Sequence, residues 1–145
     1  MTLHQSTAHL RLEPLVAAQV QYLSRNVEAA RRLLRRALPA EHPREPFGPD
    51  HLERAIAAWF ASNLSGALNL QRDRYAIALA AAWGDYLSRT QGFRWYLIYT
   101  DDRPEMGMFL AEKGLTVYPF ATVNEAFDQR DYDLLSTITR HARLE

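Results

Sequence analysis

Apolar residues in the first third of the chain recur at alternating spacings of four and three. The repeat consists of Val16, Val20, Leu23, Val27, Ala30, Leu34 and Ala37. This spacing places the side chains on one stripe of an α-helix, and a stripe kept over three heptads is typical of a helix that packs against another helix. We therefore predict a long helix over residues 13–38, with Pro14 in its first turn.

The apolar stripe has two interpretations. A helix of this length is about 39 Å long at 1.5 Å per residue, which is close to the width of a compact domain of this size. Either the whole stripe packs in the core, or part of the helix extends beyond the core and meets a second copy of the chain. The candidate oligomer interface comprises Val16, Val20, Leu23, Val27 and Leu34.

The next segments predict a loop and then two helices. Prolines and Gly48 interrupt residues 39–49, which we predict to be a loop. Asp50 and Glu53 have the spacing of a capping box, so a helix is expected to start there. A second helix ends at Gly92, the residue type that favours a left-handed C-cap. Residues 50–91 are thus predicted to form a helical pair.

The remainder alternates between strand and helix signals. Large apolar and aromatic residues alternate over residues 93–99 and predict a strand covered on both faces. Asp102 and Glu105 again resemble a capping box, so residues 92–120 are predicted as strand, helix and strand, and residues 121–143 as C-terminal helices. The expected fold is one α+β domain over residues 1–145, predominantly helical, with the long N-terminal helix and a helical layer packed on a small sheet of two to three strands.

Composition excludes several classes of function. The chain has 145 residues and no cysteine, so disulfides, thiolate catalysis and cysteine-based zinc sites are ruled out. Seventeen basic and seventeen acidic residues balance, so a nucleic-acid partner is not favoured, although Arg31, Arg32, Arg35 and Arg36 form a basic turn that we interpret as a solvated face. No stretch approaches the roughly 18 apolar residues of a membrane span. A cytoplasmic protein without a membrane partner is expected.

The candidate binding residues lie in the second half of the chain. Nucleophile elbows, phosphate loops and metal-ligand spacings are missing from the sequence, so no catalytic residue, metal or cofactor is predicted. Gly84 lies inside a predicted helix, where glycine costs about 1 kcal/mol relative to alanine. Either Trp95 or another helix packs closely there, or a ligand lies over Gly84 with Asp85 as a hydrogen-bond acceptor. Asp101 and Asp102 could bind a metal, but a capping role explains Asp102 equally well.

Several short motifs resemble a known family. They are Gly84-Asp85, Trp95, Thr100-Asp101-Asp102 and Val117-Tyr118-Pro119-Phe120. In this order, over residues 76–138, the chain resembles a small bacterial family catalogued as domain of unknown function 3806. The family has no established activity, so the resemblance implies a bacterial origin but supplies no mechanism.

Two functions from different classes follow from these observations. The first is a non-catalytic cytoplasmic interaction module that binds a protein partner or forms a homodimer, of the size of bacterial immunity, adaptor or chaperone proteins. The alternative is a small metal-dependent hydrolase or ligand-binding domain with an acidic cleft of Asp85, Asp101 and Asp102. The candidate binding residues are Gly84, Asp85, Arg94, Trp95, Tyr96, Asp101, Asp102 and Tyr118.

Overall fold

The computed structural model describes residues 3–5, 10–61 and 71–144. Its helices are α1 (Ala17–Ala37), α2 (Pro49–Ala61), α3 (Arg72–Gln91), α4 (Pro119–Gln129) and α5 (Leu134–Leu144). Its strands are β1 (Leu3–Gln5), β2 (Arg11–Glu13), β3 (Arg94–Thr100), β4 (Arg103–Leu110) and β5 (Leu115–Val117). The described strands form one antiparallel sheet in the order β1-β5-β4-β3-β2. The predicted α+β class with dominant helices is confirmed, and the sheet has five strands where two to three were expected.

The helix predicted to start at Asp102 is wrong, because these residues form a β-hairpin. Asp101 and Asp102 adopt left-handed conformations, with φ of 50° and 62°. Two consecutive residues with positive φ make the tight turn whose twist matches paired strands, and aspartate tolerates this conformation better than most residues. Thr100 therefore pairs directly with Arg103, and every residue of β3 is paired with a residue of β4. Residues 94–117 thus contain three antiparallel strands, β3 to β5, and α4 begins at Pro119.

The long helix begins later than predicted. Residues 11–13 form strand β2, in which Leu12 pairs with Ile98 and Glu13 pairs with Leu97 at the edge of the sheet. Pro14 precedes α1 and does not lie in its first turn. A strand of three residues is too short to show an alternating pattern, so its pairing with β3 could not be predicted from sequence.

Helix α3 lies at the centre of the molecule and packs against both α1 and α4. Most of its middle residues are buried alanines, whose small side chains let the neighbouring helices approach closely. The largest buried residues satisfy their polar atoms: the Trp83 indole donates to Thr139 Oγ1 at 2.9 Å, and the Tyr75 hydroxyl donates to the Ala55 carbonyl at 2.7 Å. Burial raises the pKa of the Tyr75 hydroxyl well above its usual range. Gly92 ends α3 with φ of 84°, as predicted.

The predicted capping box at the start of α2 is also wrong. Helix α2 begins at Pro49, and Glu53 is only 4% exposed. Its carboxylate accepts hydrogen bonds from the backbone N–H of Ser136, at 3.1 Å, and from the Ser136 hydroxyl. Ser136 lies in the first turn of α5, where backbone N–H groups lack partners within the helix. Glu53 thus caps a helix 83 residues further along the chain.

Candidate functional site

An open groove of about 760 Å³ lies between the N-terminal half of α1, the C-terminal half of α3 and the start of β3. We call it the α1–β3 groove. It is lined by Val20, Leu23 and Val27 from α1, by Asp85 and Arg89 from α3, and by Arg94, Trp95 and Tyr96 from β3, together with flanking residues. Seven of these eight residues are among the candidates selected from sequence, three as interface residues and four as binding residues. The structure thus brings these seven residues together in one groove.

The apolar stripe of α1 divides into a core half and a surface half. Leu34 is fully buried in the core, so it is not available to a partner, and its prediction as an interface residue is wrong. Leu23 is only 8% exposed and offers little surface to a partner. Val16 and Val20 are 59% and 53% exposed, although they continue the same stripe. Helices α2 and α3 pack against α1, and they leave Val16 and Val20 at its N-terminal end largely uncovered. Part of the stripe therefore lies outside the core of the single chain, and its contact with a second copy stays a prediction.

Gly84 forms part of the support for the indole of Trp95. A Cβ atom built on Gly84 would lie 2.2 Å from Trp95 Cζ2, much closer than non-bonded carbon atoms approach. On another side, Trp95 packs against Phe120 with ring centroids 5.6 Å apart. The missing side chain of Gly84 therefore serves packing, as in the first interpretation. Because the indole occupies the space over Gly84, a ligand cannot lie there.

Two ion pairs order the wall of the groove. Asp85 pairs with Arg89 at 3.1 Å, and Arg31 pairs with Glu45 at 2.6 Å, which ties the loop over residues 38–48 to α1. Burial raises the pKa of the Asp85 carboxyl, and the charge of Arg89 opposes this shift. Arg31, Asp85 and Arg89 all line the groove, so these two pairs connect side chains of its wall to partners within the chain.

Arg94 and Glu28 are the charged side chains at this groove that are available to bind a partner. Arg94 is exposed and has no ion pair within the described part of the chain. The Glu28 side chain is 60% exposed and approaches Arg31 only at 4.0 Å, a weak contact because Arg31 already binds Glu45. Within the described residues, the groove therefore presents one cation without an ion pair, Arg94, and one weakly paired carboxylate, Glu28, beside an apolar stripe. Sequence reasoning missed Glu28, although its position next to Val27 places it at the edge of the stripe.

The acidic residues at the far end of β3 do not belong to this groove. Asp101 and Asp102 lie in the hairpin turn, about 20 Å from Arg94 at roughly 3.3 Å per strand residue. They are exposed, and Asp101 lines a shallow depression with Arg103 and Glu105. Asp85 and the two turn aspartates thus do not form the acidic cleft that a hydrolase would need. Across residues 3–5, 10–61 and 71–144, no group of three or more histidine, aspartate or glutamate side chains is placed to hold a metal.

Tyr118 packs on a different part of the sheet. A Cβ atom on Gly107 would lie 2.8 Å from Tyr118 Cδ1 and 2.8 Å from Ile98 Cδ1, so Tyr118 lies over a second glycine that sequence reasoning missed. Burial raises the pKa of the Tyr118 hydroxyl, and a hydrogen bond with Thr100 opposes the shift. Gly107 pairs with Tyr96, so Tyr118 packs on the sheet face that carries Tyr96 and Ile98. Tyr118 is not among the residues that line the α1–β3 groove.

Comparisons with known proteins support the fold alone. No family model matches the chain, so the resemblance to family 3806 stays a prediction, and no curated protein matches it at significance. A crystal structure of a protein from Bacteroides thetaiotaomicron VPI-5482, at 1.50 Å resolution, is similar with a TM-score of 0.63 and 11% sequence identity. The match covers 95% of this chain and 49% of that chain, so this chain spans about half the length of its structural neighbour. None of the described helices combines the length and apolarity needed to cross a bilayer.

Proposed function

We propose that this protein is a non-catalytic interaction module that forms a homodimer through the α1–β3 groove. The observation that supports the proposal is the exposure of Val16 and Val20 beside that groove. Apart from Leu144 in the last turn of α5, they are the most exposed large apolar side chains in the described chain. Exposed apolar residues that continue a helix-packing stripe are typical of a protein–protein contact. A bacterial cytoplasmic protein of the adaptor or immunity kind fits this proposal.

A second copy of the chain fits the groove because the groove is complementary to itself. In a two-fold symmetric dimer the same surface is used by both copies, so if residue A of one copy contacts residue B of the other, then B of the first also contacts A of the second. One surface must therefore supply both members of every contact. The exposed stripe of one α1 can pack against the stripe of the other. Arg94 and Glu28 supply opposite charges on the same surface. Trp95 and Tyr96 add the aromatic character that is enriched at interfaces.

Val20→Glu is expected to convert the dimer into a monomer. In the symmetric contact the substitution buries two carboxylates, and an unpaired buried polar group costs roughly 1–3 kcal/mol, so the dissociation constant should rise about 100-fold or more. Val20 is exposed in the single chain, so the variant should fold with an almost unchanged melting temperature. Sedimentation velocity over a concentration series measures the change.

Tyr132→Glu is the matched control, because Tyr132 is 41% exposed and lies in the turn between α4 and α5. It should remain dimeric. A Val20→Glu protein that dimerises like the unmodified chain, or an unmodified chain that stays monomeric at high concentration, would contradict the proposal.

A further inference from the structure

A second groove lies on another side of α1, between α1 and α3, with a volume of about 820 Å³. We call it the arginine groove. Four arginines line it, Arg25, Arg32 and Arg36 from α1 and Arg74 from α3. Among the described residues, the rest of the lining is apolar or uncharged and includes no acidic side chain: Tyr22, Asn26, Ala29, Leu33 and Ile77. The groove thus combines an apolar floor with a rim of one charge sign.

Within the described part of the chain, the four arginines of the groove differ from Arg54, Arg72 and Arg89 in having no carboxylate partner. Arg54, Arg72 and Arg89 each form an ion pair with a carboxylate. Arg25, Arg32, Arg36 and Arg74 form none within the part of the chain that the structure describes, and all four are exposed. Like charges that converge on one concave surface raise the local potential and attract anions. Guanidinium groups are also the preferred partners of carboxylates and phosphates in bidentate geometry.

We propose that the arginine groove binds an acidic amphipathic helix of a partner protein. Arg25 and Arg32 are two helical turns apart, about 10 Å, and Arg32 and Arg36 are one turn apart, about 6 Å. Carboxylates on a ligand helix repeat at the same one-turn and two-turn distances, so a parallel helix can pair with several arginines at once. Its apolar face would pack on the floor formed by Ala29, Leu33 and Ile77. A helix in the groove between two others is a common recognition mode.

The apolar floor and the limited charge argue against other occupants. Nucleic-acid affinity grows with the number of phosphates neutralised, and four arginines on a chain with no net charge supply few such contacts. A second copy of the same groove would place eight guanidinium groups against one another. The ligand therefore differs from the second copy proposed for the α1–β3 groove, and the two surfaces can be tested separately.

Three labelled probes distinguish the occupants by fluorescence anisotropy. The first is a synthetic helical peptide with leucines on one face and glutamates along both flanks. The second is polyglutamate of the same net charge, and the third is an oligothymidylate of the same net charge. The amphipathic peptide should bind at least tenfold more tightly than either of the others, and its affinity should fall as salt is added.

Arg36→Glu and Arg35→Glu form a matched pair for locating the binding site. Both arginines are exposed in the last turn of α1, so both substitutions make the same charge change at the same helix end, but only Arg36 lines the groove. Arg36→Glu should weaken peptide binding at least tenfold, while Arg35→Glu should change it less than threefold. Val20→Glu should leave peptide binding unchanged, whatever its effect on dimerisation.

Four results would overturn the proposal. Equal losses of peptide affinity in the Arg36→Glu and Arg35→Glu proteins would show that the peptide is attracted by the overall positive charge of this helix end and not by the groove. Oligothymidylate binding as tight as peptide binding would indicate a nucleic-acid surface. Peptide binding no tighter than that of polyglutamate would show that the apolar floor takes no part. Peptide binding that is undetectable at low salt would show that the groove does not bind such a helix. Circular dichroism melts of both variants verify that each remains folded.

Discussion

Gly84→Ala is expected to lower the free energy of unfolding by about 2–3 kcal/mol, although alanine is the better helix former. The added Cβ would lie 2.2 Å from Trp95 Cζ2 and 2.9 Å from Trp95 Cε2. These are ring atoms near the centre of the indole, and Phe120 packs against the same ring, so the side chain cannot swing away freely. The clash should exceed the roughly 1 kcal/mol that alanine gains by helix propensity. Urea denaturation measures the difference.

A second substitution tests whether Trp95 is the cause. Trp95→Leu removes the ring that the new Cβ would meet, so Gly84→Ala should cost much less in the Trp95→Leu background than in the unmodified chain. Ser88→Ala, at an exposed position one turn further along α3, is the control for helix propensity and should have little effect. A Gly84→Ala protein that is more stable than the unmodified chain would refute the close packing of Trp95.

Glu53→Ala is expected to lower the free energy of unfolding by about 2–3 kcal/mol. The substitution removes the carboxylate that accepts from the Ser136 N–H and hydroxyl, and it leaves those donors at the start of α5 without their partner. It also removes negative charge from the N-terminal end of a helix dipole, where such charge is favourable. Ser136→Ala removes one of the two hydrogen bonds and should cost about 1 kcal/mol. Thermal and urea denaturation report both values.

The Glu53 carboxylate should also make the stability of the folded protein depend on pH. Burial raises the pKa of Glu53 in the folded state above its ordinary value of 4.5, and its hydrogen bonds with Ser136 oppose part of the shift. Between the ordinary and the raised pKa the folded state binds more protons than the unfolded state, so this group makes stability fall as the pH rises through that interval. Glu53→Ala should remove this contribution, so the free energy of unfolding should change less with pH in this interval. The role given to Glu53 would be contradicted if Glu53→Ala left the pH dependence of the free energy of unfolding unchanged and lowered that free energy by less than about 0.5 kcal/mol.

The sequence predicts the helices better than the strands, for a physical reason. Helix signals are local: the apolar stripe of α1 and the C-cap at Gly92 each depend on residues within a few turns. The Asp102–Glu105 segment contains residue types that suit a helix start and a tight turn equally well. Only the pairing of β4 with β3 decides between them, and that pairing depends on residues outside the segment. The same limit applies to β2, a strand of three residues that β3 holds at the sheet edge.

For the candidate site, sequence identified residues but not their arrangement. Val20 and Leu34 occupy equivalent places in the same stripe, yet one is 53% exposed and the other is fully buried. The difference arises because the rest of the domain covers only part of α1. Likewise Arg25, Arg32 and Arg36 share a helix face in the sequence, but their importance depends on Arg74 of α3, which lies opposite them in the fold.

The most direct test of the dimer is a distance measured between two copies of α1. The chain contains no cysteine, so Ser24→Cys provides a single site for a spin label at an exposed position that lines the α1–β3 groove. Packed helices lie about 8–10 Å apart, so labels on two facing copies of α1 should be close enough for a strong dipolar interaction by double electron–electron resonance. We expect one narrow distance distribution, which disappears when Val20→Glu is added. A signal without intermolecular coupling at high protein concentration would contradict the proposed interface.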